Sequence, residues 1–174
     1  MKFAYADPPY LGCCGMYDHH HPDGRCWDEI TTHMALIDRL AAYDGWALSL
    51  HTPSLREILN LAPLDVRVMA WVKPFASFKP GVGVAHAWEP VIVRGGRSRT
   101  RQQDTVRDWV AANITLKRGL TGAKPRAFSF WLFDVLGMEP GDEFVDLFPG
   151  SGAVTAAYNE WRARQTAQLA MGIA

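Results

Sequence analysis

No excess of either charge marks this sequence: its 174 residues carry 18 Lys and Arg against 18 Asp and Glu. Total charge therefore gives no electrostatic reason to expect a polyanionic partner. Cysteine is scarce as well. Cys13, Cys14 and Cys26 are odd in number and crowd towards one end, which argues against a disulfide framework and for a reducing, cytoplasmic setting. No apolar run approaches the roughly 20 residues needed to span a bilayer, so no membrane partner is expected. The opening stretch runs straight into Asp7-Pro8-Pro9 with no long apolar region or cleavage-like site, and no signal peptide is read. Internal repeats, low-complexity tracts and a dividing linker are also missing. A hydrophobic fraction of 48% with 21% charged residues then fits one globular domain, residues 1–174, large enough to bury a core.

Charge is present but unevenly placed. Between Arg94 and Arg126 the basic residues, among them Arg94, Arg97, Arg99 and Arg101, far outnumber the acidic Asp104 and Asp108. A basic segment on a neutral protein is either a phosphate-contacting edge or a solvated loop.

Periodicity points to alternating strands and helices. Strands are expected at residues 2–6, 45–51, 66–72, 89–94 and 143–148. Helices are expected at 27–43, 53–61, 105–114, 125–136 and 153–169. This order predicts an α/β fold with a mostly parallel sheet covered by helices on both faces.

Two motifs carry the chemistry. Asp7-Pro8-Pro9-Tyr10 follows the first strand, and ligands of open α/β sheets sit beyond the carboxyl ends of strands. Two prolines stiffen the turn and remove two backbone donors, leaving carbonyls free to accept. A carboxylate, a carbonyl and an aromatic ring together suit an amino group on a planar base. The second motif, Phe144-Val-Asp146-Leu-Phe148-Pro-Gly150-Ser-Gly152, is a strand, a glycine turn and a helix start. Gly150 and Gly152 permit close approach of a ligand to the backbone. A dinucleotide fingerprint needs a third glycine where Thr155 stands, and a P-loop needs a Gly-Lys pair. Neither is present. For the two motifs to act together, the loops at Asp7 and Phe148 must open side by side on one rim of the sheet.

In this order the motifs resemble those of the DNA amino-methyltransferases in their circularly permuted, beta-class arrangement, and the chain is similar to small methylases of actinobacterial phages. The resemblance implies a Rossmann-like, S-adenosylmethionine-dependent methyltransferase fold, permuted and shortened at its C-terminus. It implies Asp7, Pro8, Pro9 and Tyr10 as catalytic residues. Phe148, Gly150, Gly152 and Asp146 become cofactor positions. Lys124, in the Lys-Pro pair opening a helix, contacts the cofactor's amino-acid end. The implied reaction is methyl transfer from S-adenosylmethionine to adenine N6 in DNA. Cytosine N4 or RNA as target, or an inactive DNA-binding relative, are the alternatives. Residues 95–122 stand where a reduced target-recognition insert is expected. Glu160 or a partner molecule, such as a second copy of the chain, is left to replace the acid that usually holds the cofactor ribose.

Lys73, ending a strand, joins Arg94, Arg97, Arg99 and Arg101 as an expected DNA contact. His51 borders the pocket or is a structural histidine. Trp88 and Trp131 are expected in the core. Three consecutive histidines at 19–21 lack the paired spacing of a zinc site, so no metal is expected; their loop is read as a polar surface loop or a cover over an extruded base.

Overall fold

The computed structural model describes residues 1–16, 24–75, 81–114 and 123–172. The histidine cluster and residues 115–122 of the basic insert lie outside the described residues. The strands are β1 (Lys2–Ala6), β2 (Gly45–Ser49), β3 (Arg67–Val72), β4 (Trp88–Gly95), β5 (Trp109–Ala111) and β6 (Glu143–Asp146). The α-helices are α1 (Ile30–Leu40), α2 (Leu55–Leu61), α3 (Arg126–Leu136) and α4 (Ala153–Ala170). One six-stranded sheet has the order β5-β3-β4-β2-β1-β6. Only β4 runs against the others, pairing antiparallel with β2 and β3.

The sheet is a period-two sorting device. Phe3 and Tyr5 of β1, Ala47 of β2 and Val91 and Val93 of β4 face the side covered by α3 and α4. Ala4 and Ala6, Trp46 and Leu48, and Ile92 face α1 and α2. Both faces are buried, which explains why β2 reads as a continuous apolar run. On α3, Phe128, Leu132, Phe133 and Leu136 are fully buried, each contributing roughly 1.5–3 kcal/mol as an upper bound. Among the described residues no helix is long and apolar enough to cross a membrane.

Two expectations are corrected. Residues 105–114 are not a helix: β5 forms there, parallel to β3. The apolar spacing of Val106, Val110 and Ile114 imitates a helical face. The open edge of β3 nevertheless recruits the segment as a strand, through Ala70 N–H to Asp108 O at 3.0 Å and Ala112 N–H to Val72 O at 3.0 Å. Trp88, at the first position of β4, is 40% exposed, whereas Trp131 is buried as expected.

Candidate active site

Strands β1 and β6 are adjacent and parallel, with Tyr5 opposite Asp146. Leu147 N–H bonds Tyr5 O at 2.9 Å, carrying the pairing one step past the strand. Asp7 and Phe148 therefore leave the sheet on the same rim, from neighbouring strands. The two motif loops thus open side by side.

Around Asp7 the structure builds a charged cluster from four separate segments. Lys124 Nζ lies 2.9 Å from Asp7 Oδ1 and 3.4 Å from Glu89 Oε2. It donates to the Tyr10 hydroxyl at 3.1 Å. That hydroxyl is 3.1 Å from both Asp7 Oδ1 and Glu89 Oε2 and has one proton to give to either. Lys73 Nζ holds Glu89 Oε1 at 2.8 Å. The Lys124 ammonium also lies 5.2 Å from the centre of the Trp71 ring and 5.8 Å from that of Tyr10, where the rings' negative faces favour a cation. Trp71 is itself locked by its indole N–H on Ala112 O at 2.8 Å, a bond made by the β5 segment.

Electrostatics follow from this geometry. Burial pushes the Asp7 carboxyl up, against the Lys124 charge and hydrogen bond that draw it down. Burial works to lower Lys124 too, but the charges of Asp7 and Glu89 prevail and hold its ammonium above the ordinary value. Glu89 resists its own burial: the Lys124 charge and the Lys73 hydrogen bond keep its carboxyl low. Among the described residues, two carboxylates thus face two ammonium groups.

Tyr10 is fixed on its flank by His51, stacked at 5.4 Å with rings 22° apart. His51 Nδ1 meets Ser54 Oγ at 2.8 Å, and burial, with His86 nearby, lowers its affinity for a proton. His51 therefore borders the site while one of its ring nitrogens is held by Ser54. Pro8, Tyr10, Leu11 and Ser49 line a recess beside this stack.

On the second loop, Asp146 braces its own turn. Its carboxylate accepts from Phe148 N–H at 3.3 Å and from the Thr155 hydroxyl at 3.2 Å, and burial raises its pKa. Phe148 meets Trp27 edge to face at 5.0 Å. Gly150 and Gly152 take φ of +44° and +72°, conformations that side-chain-bearing residues avoid. A Cβ at Gly152 would meet nothing within 4 Å, so the turn opens onto free space directly before α4. Lys124, expected at the cofactor's amino-acid end, instead points its ammonium at Asp7.

The expected DNA-contacting residues do not assemble here. Lys73 is on this rim but is paired with Glu89. Arg94 is opposite Trp46, where β2 begins, and pairs with Asp65 at 2.7 Å. Arg97 clasps Asp142, which precedes β6, at 2.8 and 2.9 Å. Arg99 donates to Asp104 O and Asp134 O, and Arg101 is exposed in the following turn. Arg94 and Arg97 thus occupy the rim opposite Asp7. Glu89 is the main residue the motifs do not mark; an acid opening an apolar strand, Glu89-Pro-Val-Ile-Val, is the only sequence signal of it. Among the described residues no cluster of metal-ligating side chains occurs.

No protein-family model matches the chain, and no curated protein matches it. Solved structures do. The crystal structure of the M1.HpyAVI–SAM complex is similar with a TM-score of 0.56 at 14% identity, covering 92% of this chain and 78% of that one. The crystal structure of M1.HpyAVI gives a TM-score of 0.52 at 14% identity, covering 92% and 76%. Likeness at this identity speaks for architecture alone. The chain has the Rossmann-like α/β fold of S-adenosylmethionine-dependent methyltransferases.

Proposed function

We propose that the protein transfers a methyl group from S-adenosylmethionine to the N6 amino group of adenine in DNA. The observation that carries this reading is the common rim: an acceptor loop at Asp7 and a glycine turn at Phe148 open from adjacent parallel strands. The second loop fits the methyl donor. It offers an aromatic side chain, a glycine turn with open space at Gly152, and the amides at the start of α4, which suit a carboxylate. Phe148, Gly150 and Gly152 hold the donor, and Asp146 keeps their turn in shape. The neighbour whose structure contains SAM shares this architecture.

Bound there, the donor supplies a sulfonium-activated methyl group, so positioning of the acceptor contributes most of the rate. An adenine amino nitrogen is a poor nucleophile because its lone pair is delocalised into the ring. Asp7 and the Pro8 carbonyl accept its two N–H bonds, which favours a pyramidal nitrogen with the lone pair aimed at the methyl carbon. Pro8 and Pro9 present no N–H to compete for the amine. Transfer would break the donor's S–CH3 bond as the N–C bond forms, with the electron pair leaving on sulfur, and the Asp7 carboxylate would take the proton that the nitrogen sheds. Tyr10, backed by His51, offers its ring to the extruded base. DNA is the partner that this chemistry calls for.

The test is transfer of labelled methyl to unmethylated DNA and RNA, followed by nucleoside analysis. Label in N6-methyladenine of DNA is expected, and Asp7→Ala is expected to abolish it while the protein still melts cooperatively. Label in N4-methylcytosine or only in RNA would redirect the substrate assignment. Undiminished transfer by Asp7→Ala would remove Asp7 from the chemistry.

A further inference from the structure

Methyl transfer as described leaves Glu89 and Lys124 without a task, yet they are the centre of the cluster. Lys124 is only 4% exposed, so its ammonium has no ready escape to water. Its three donors meet three oxygens: Asp7 Oδ1 at 2.9 Å, the Tyr10 hydroxyl at 3.1 Å and Glu89 Oε2 at 3.4 Å. The shortest contact falls on the carboxylate that an incoming amine needs. An amine and an ammonium are both N–H donors, and they compete for the same carboxylate.

The geometry points to Glu89 as a positioning residue that draws Lys124 away from Asp7 when the acceptor amine arrives. This inference rests on the methyl-transfer reading. Glu89 is the other carboxylate that Lys124 contacts among the described residues, and a movement of a few tenths of an ångström turns the 3.4 Å contact into a normal hydrogen bond. Lys73 anchors the opposite oxygen, Oε1, at 2.8 Å, so Glu89 does not have to follow Lys124. Its place in β4, opposite Trp71, fixes its backbone in the sheet rather than in a loop. The exchange conserves charge: Lys124 trades one carboxylate for another and no proton moves. It also selects substrates. A base offering an exocyclic amine displaces the ammonium from Asp7, while a base offering a carbonyl leaves it there.

The test is a two-residue cycle, Glu89→Gln, Lys124→Met and both together, with Glu89→Asp alongside. Methyl transfer to mixed-sequence unmethylated DNA is measured at saturating S-adenosylmethionine. Glu89→Gln, which leaves Lys124 with Asp7 alone, is expected to lower kcat/KM for DNA about tenfold or more. The KM for the cofactor stays unchanged, and Glu89→Asp keeps most of the activity. The double variant, which removes one charge of each sign, is expected to regain most of the loss. Wild-type kcat/KM in Glu89→Gln, or a double variant no better than the single, overturns the inference. Should the single variant fail to fold, the Lys124 ammonium signal of the wild-type protein decides alone: movement on addition of adenosine or DNA upholds displacement, and a stationary signal overturns it.

A second readout separates this inference from the reaction it rests on. The nitrogen NMR signal of the Lys124 ammonium, assigned by its loss in Lys124→Met, is expected to move when adenosine or DNA is added. Movement without any methyl transfer by the wild-type protein sinks the reaction and spares the displacement. Transfer without movement does the reverse, and neither means that both fall.

Discussion

Asp7 must be ionised to accept an amine, and its surroundings oppose that. Burial raises its pKa above the ordinary 3.8, and Lys124 only partly restores it. The accepting form is therefore lost as pH falls through the raised value. The acid limb of kcat/KM is expected above 3.8, and Lys124→Met is expected to move it further up, since Lys124 is the largest lowering influence. A limb at or below 3.8, or one indifferent to Lys124, would contradict this account. The same residues show what a linear sequence reveals. Asp7, Pro8, Pro9 and Tyr10 are contiguous, so their grouping was legible. Glu89 lies 79 positions from Tyr10 and reaches it only because β4 runs antiparallel and starts at the rim where β1 and β2 end. Lys124 was legible as a site residue through its Lys-Pro pair, but the direction of its side chain is decided by carboxylates elsewhere in the chain.

Whole elements were read best where burial decides them. Strands β1 and β2 and helix α3 carry patterns matched to one face or both, and they appear nearly where the periodicity puts them. The β5 segment failed because its three residues owe their extended form to the edge of β3 and to Trp71, neither of which is local. Arg97 shows a similar limit: its basic character is plain, but its partner Asp142 lies at the turn before β6. There the Asp142 side chain, 4% exposed, also takes the Met1 amine at 2.8 Å and Glu139 N–H at 2.7 Å. Burial raises the Asp142 carboxyl, but the Met1, Glu139 and Arg97 hydrogen bonds outweigh it and hold it low. A depressed carboxylate stabilises the fold above its unfolded value, and that contribution disappears as pH falls through the folded value. Asp142→Ala is expected to cost about 2–4 kcal/mol at neutral pH, read by denaturant melts. The difference from wild type should shrink in acid. A loss under about 0.5 kcal/mol, the range of ordinary surface changes, would show that the clasp does not hold β6 in place.

At the scale of the molecule, a net charge of zero conceals a division between two rims. On the Asp7 rim, Lys73 and Lys124 are spent on Glu89 and Asp7. On the other, Arg94 and Arg97 are spent on Asp65 and Asp142. The rims are separated by the length of β2, five residues or about 16 Å at roughly 3.3 Å per residue. That exceeds the screening length of about 10 Å at 0.1 M salt. On the proposed reading, arginines on the far rim would contribute little to a DNA strand whose base enters beside Asp7. Each phosphate neutralised by a protein cation adds about 0.9 to the slope of log affinity against log salt. Replacing Arg94 by Gln is expected to leave that slope unchanged and, because its pair with Asp65 is exposed, to alter stability by no more than about 1 kcal/mol. A slope reduced by about 0.9 would mean that DNA wraps past the edge of the sheet to the far rim. The basic segment would then be part of the binding surface despite its intramolecular pairs, and the distance between the rims would measure how far the duplex must bend to reach both.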